Sequence, residues 1–175
     1  LHEEFQQELA GLVGEEQPRQ KSLAFVLLCV SSLLDIPAAL AMELLTDGRG
    51  DLGIDALHLS EVDDGEFTVT LFQGKYKHRD LTGNANFPEN DIRKAITLIQ
   101  SVFNPDAALT MNERLKPRIE EVRSLIRDGY IPNVRMVLCN NGKQCSSEAQ
   151  QWIQQSGLMH QQVQWLHYNH DNIVQ

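Results

Sequence analysis

The order of patterned segments predicts an α/β fold, a mixed β-sheet flanked by helices. Three observations carry that reading. Apolar residues recur at helical spacing through the first 45 positions, two β-rich runs meet at an Asp-Asp-Gly turn at 63–65, and residues 88–175 return to helix, strand, helix, strand. With 175 residues, 42% of them hydrophobic and 22% charged, the chain reads as one domain able to bury a substantial core. Its parts are N-terminal helices over 1–45, a hairpin over 53–77, and helices with two further strands over 88–175. The opening Leu1 and the closing segment read as a piece of a longer protein.

Leu1, Phe5, Leu9 and Leu12 predict an amphipathic helix over 1–16. A second helix over 20–35 is apolar nearly all round, which predicts burial. Pro37 breaks it and suits the first turn of a short helix ending near Leu45, and 46–50 is a loop. Strands are expected over 53–60 and 67–77. Helices follow over 89–103 and over 111–128, the latter interrupted near Pro117. A buried strand over 134–140 leads to a helix capped by Ser146 or Ser147 and ending near Gln155, and 163–168 is the last strand.

The net charge of -9 argues against a simple nucleic-acid-binding module, which would be basic. It is compatible with a nuclease, whose site needs carboxylates and only a local basic patch. Lys75, Lys77, His78 and Arg79 form such a patch within five residues. Cys29, Cys139 and Cys145 make no CxxC pair and leave an odd thiol, so a reducing, cytoplasmic setting is expected. The apolar run 23–34 is too short to span a membrane, and the acidic segment before it is wrong for a secretory signal. The scattered histidines lack metal-ligand spacing, and no P-loop or nucleophile elbow is present. Asp47 and Asp51, beside glycines, read as turn formers.

The hairpin allows a geometric statement. A turn centred near Asp64 pairs residues whose numbers sum to about 128, setting Asp55 opposite Gln73, Leu57 opposite Leu71 and Leu59 opposite Val69. A period of two then puts Asp55, Gln73 and Lys75 together at the open end of an otherwise apolar face. A hard cation such as Mg²⁺, with Mn²⁺ as the alternative, would take the Asp55 carboxylate, the Gln73 side-chain carbonyl and the Gly74 main-chain carbonyl. Lys75 would orient water or offset charge on a phosphate, and Glu43 at the end of the third helix is the candidate further carboxylate. Lys77 and Arg79, with Arg49 of the loop, are candidate nucleic-acid contacts.

The segment Gly50-Asp51-Leu52-Gly53-Ile54-Asp55-Ala56, followed by a hairpin and Phe72-Gln73-Gly74-Lys75, resembles the PD-(D/E)xK nuclease superfamily. It looks most like the Mrr-type branch with Gln in place of the second acid. The continuation through 134–152 is similar to the N-terminal region of abortive-infection phage-resistance proteins. The close match covers about 30 residues of the chain. The resemblance implies a restriction-endonuclease-like fold and a Mg²⁺-dependent endonuclease. It favours DNA over RNA as substrate, a role in phage defence, and a homodimer for double-strand cleavage. Asp55 and Lys75 take the metal-binding Asp and catalytic Lys positions, Gln73 the variable acid position and Glu43 the helix Glu. A neutral Gln73 removes one negative charge, so a non-catalytic nucleic-acid- or protein-binding domain of the same fold is the alternative. The acidic surface suggests a third, a regulatory or oligomerisation domain that meets basic protein partners.

Overall fold

The turn that fixes the sheet is local chemistry. Asp64 and Gly65 both take positive φ (48° and 80°), the conformation of a tight hairpin turn, and Asp63 bridges to Glu66 across it. The computed structural model describes residues 17–79, 84–157, 163–169 and 172, so the helix expected over 1–16 lies outside the described residues. In order, the elements are α1 (Gln17–Leu34), α2 (Ala38–Glu43), β1 (Ala56–Leu59), β2 (Glu66–Lys75), α3 (Glu89–Val102), α4 (Lys116–Arg127), β3 (Ile131–Asn140), α5 (Ser147–Gln155) and β4 (Val163–Tyr168). The chain is thus a mixed α/β fold whose four-stranded sheet, ordered β1-β2-β3-β4, is flanked by helices. β1 runs antiparallel to β2, while β2, β3 and β4 are parallel.

Leu57 faces Leu71 and Leu59 faces Val69, the register that the turn predicts. Alternation then splits the core in two. Leu57, Val69, Leu71, Val134, Met136 and Leu138 pack on one face with apolar residues of α3, α4 and α5. Phe72, Val137 and Cys139 pack on the other against Phe25, Val26 and Cys29 of α1.

Three expectations need correction. β1 begins at Ala56, not 53, because Leu52 and Gly53 take positive φ (57° and 81°) and cannot extend. Pro117 does not interrupt a helix; it sits in the first turn of α4, where a missing N–H costs nothing. α1 is not buried all round, since Lys21 and Leu28 are exposed. Among the described residues, no helix is long and apolar enough to cross a membrane.

Candidate functional site

Asp55 is fixed through its main chain on both sides. Its N–H donates to Phe72 O of β2 (2.8 Å), and its carbonyl accepts from Thr46 N–H (2.9 Å) on the outer edge of β1. Its carboxylate accepts the Gly74 N–H at Oδ2 (2.6 Å). Burial lifts this carboxyl from 3.8 to about 7; the Gly74 hydrogen bond and the Lys75 charge oppose the rise, and the charges of Asp47 and Asp51 add to it.

Those two aspartates are the main addition to the expected site. One carboxylate oxygen from each of Asp47, Asp51 and Asp55 lies within 4.8 Å of the others. Asp51 is also the turn former its sequence suggested, accepting Gly53 N–H at Oδ1 (2.8 Å) and Gly48 N–H at Oδ2 (3.2 Å). Asp47 pairs with Arg19 of α1 at 3.1 Å. The loop carrying both is tied to a distant segment. The Asn112 side chain donates to Thr46 O (2.8 Å) and its N–H to Gly50 O (2.9 Å).

Gln73 is buried and its Oε1 has no hydrogen-bond partner among the described residues. Lys75 pairs with Asp91 of α3 at 3.3 Å. Gln73 and Lys75 line a cleft of about 670 Å³ together with Asp51, Asp91, Arg93 and Lys94. Asp51 belongs to both the carboxylate cluster and the cleft wall, and so joins them. Gly74 enters the site as an N–H donor to Asp55.

The remaining expectations fare differently. Glu43 is exposed and stands outside the cluster of three aspartates; its main-chain carbonyl accepts from Arg118, which also donates to Leu57 O (2.8 Å). Lys77, Arg79 and Arg49 are exposed, and the basic residues lining the cleft are Lys75, Arg93 and Lys94. Lys77 is held through its backbone by Asn141, which accepts its N–H at 2.8 Å and donates to its carbonyl at 3.1 Å. Sequence reasoning missed Asp91, Arg93 and Lys94. Their spacing on an amphipathic helix was the available signal, but it does not say which strand the helix covers.

A second pair of reactive side chains offers little. Cys145 Sγ lies 3.4 Å from His167 Nε2, but burial pushes the thiol up and the imidazole down, so both are neutral at neutral pH. The chain matches no protein-family model, no curated protein and no solved structure.

Proposed function

We propose that this domain is a metal-dependent endonuclease of restriction-endonuclease-like fold that hydrolyses phosphodiester bonds, in DNA rather than RNA. The observation that carries the reading is the convergence of Asp47, Asp51 and Asp55 at the edge of a cleft whose wall holds Lys75. One hard divalent cation takes several oxygens at once, and three carboxylates whose oxygens lie within 4.8 Å of one another could close on a shared ion. The buried, unpaired Gln73 Oε1 is a further oxygen donor beside the cleft. Asp55 holds its proton to about pH 7 because burial and two neighbouring anions oppose its charge, a cause that a cation removes.

Mg²⁺ or Mn²⁺ held there would polarise a phosphate and lower the pKa of a bound water. The chain's own groups do the rest. The Gly74 N–H orients the Asp55 carboxylate, and Lys75 supplies positive charge for the anion that develops on the phosphate. Asp51 fixes the loop through Gly48 and Gly53 and so holds the cluster to the cleft.

Plasmid and RNA cleavage with Mg²⁺ or Mn²⁺ tests the proposal. The wild type is expected to cut, and Asp55→Ala and Lys75→Ala to lose roughly a hundredfold or more. Equal activity in all three proteins overturns the catalytic assignment. Binding without cleavage would favour the non-catalytic reading, to which the neutral Gln73 lends its weight.

A further inference from the structure

The chain carries a net charge of -9, yet its cleft does not share that balance. Among the titratable residues lining it, Lys75, Arg93 and Lys94 face Asp51 and Asp91, a net of +1. Arg93 and Lys94 are the only basic residues of α3, and both line the cleft. Thr97 and Ser101 continue the same wall, so that from Arg93 to Ser101 it runs about 12 Å along the helix.

The two α3 cations are held differently. The Arg93 guanidinium lies over the Trp152 ring, 3.7 Å from its centroid, and has no ion-pair partner among the described residues. Stacking uses the face of the guanidinium and leaves its in-plane N–H groups for an anion. Lys94, by contrast, shares Asp91 with Lys75. Asp91 Oδ2 is 3.3 Å from Lys75 Nζ and Oδ1 is 3.6 Å from Lys94 Nζ, with the Asp91 side chain only 13% exposed. One carboxylate thus engages two of the three cations in the cleft.

We propose that Arg93 and Lys94, with Lys75, form the wall that grips the phosphodiester backbone of a nucleic-acid strand, and that Asp91 is a counter-charge which a phosphate displaces from the two lysines. This rests on the proposed nuclease function and moves its binding surface from the exposed Lys77 and Arg79 to α3.

The test is fluorescence anisotropy with short labelled oligonucleotides, single- and double-stranded, DNA and RNA, with Ca²⁺ as the divalent ion and salt as the variable. The Arg93→Ala/Lys94→Ala protein should reduce the slope of log affinity against log salt by about 1.4 on single strands or about 1.8 on duplex, two phosphate contacts' worth. Lys77→Ala/Arg79→Ala should leave it unchanged. Asp91→Asn should tighten binding, by about threefold or more, because it frees two ammonium groups and removes a like charge. Lys94 is 66% exposed, so Lys94→Glu keeps the test readable if the Arg93 variant fails to fold, and it too should lower the slope. An unchanged slope in the α3 variants, or weaker binding by Asp91→Asn, overturns the proposal while leaving the nuclease reading intact. Binding that follows these rules, with no cleavage when Mg²⁺ or Mn²⁺ replaces Ca²⁺, sinks the nuclease reading alone. A wild type that binds none of the oligonucleotides sinks both.

Discussion

Asp55 carries an opposition that its neighbours only partly relieve: a hydrogen bond and an ammonium favour its charge, while burial and two aspartates oppose it. Because the folded carboxyl keeps its proton to about pH 7 and the unfolded one releases it near 3.8, the folded state binds more protons between those values. Stability from this group is therefore fully present below the lower value and is lost as pH rises through the upper one, by no more than about 4 kcal/mol. In chelator, the melting temperature should fall between about pH 4 and about pH 7. Asp55→Asn should flatten that fall, and Mg²⁺ should raise the wild-type melting temperature more at the higher pH, where the ion displaces no proton. Thermal denaturation by circular dichroism checks all three. A wild type equally stable across that range would remove the burial argument for Asp55.

At the level of elements, the site depends on how closely α1 approaches β2. A Cβ placed on Gly74 would lie 2.5 Å from Val26 Cγ2 and 3.6 Å from Asp55 Oδ2, so the glycine is what lets the helix seat beside the carboxylate. Gly74→Ala should cost about 1–3 kcal/mol in urea denaturation and weaken metal-dependent activity as well, since the Gly74 N–H must shift with its strand. The cap of α5 is a separate case. Ser146 Oγ accepts Ala149 N–H (3.2 Å) and donates to Glu89 Oε1 at the start of α3 (2.6 Å). Ser146→Ala should cost about 1 kcal/mol and disturb the α3 wall that carries Arg93. These elements also show what a linear reading can reach. The hairpin register was legible because Asp64 and Gly65 encode their own turn, and the period of two then assigns every face. The position of Asp47 and Asp51 was not, because Asn112 pins their loop from more than sixty residues away. Nor was the partnership of Lys75 with Asp91, which depends on how α3 lies across the sheet. Nor was the place of Glu43, exposed and outside the three aspartates, because helix-end placement says nothing about which way α2 turns once Arg118 holds its last carbonyl.

Across the whole molecule, charge decides what can approach the cleft. An acidic chain repels a polyanion at long range, and the carboxylates of Asp47 and Asp51, joined by Asp55 above about pH 7, add to that repulsion beside the cleft wall where Lys75, Arg93 and Lys94 attract it. A bound divalent cation would reverse the sign of the cluster without altering the basic wall. Nucleic-acid binding should therefore depend on the metal even where no bond is cut. Anisotropy titrations are expected to show affinity at least tenfold weaker in chelator than in Ca²⁺, about 1.4 kcal/mol or more. The gap should narrow in Asp47→Asn/Asp51→Asn, where the repulsion falls while the single amide oxygen at position 51 can still accept the Gly53 N–H. If chelator leaves wild-type affinity unchanged, the three aspartates hold no cation that matters to the strand, and the cluster is no more than the frame of a turn.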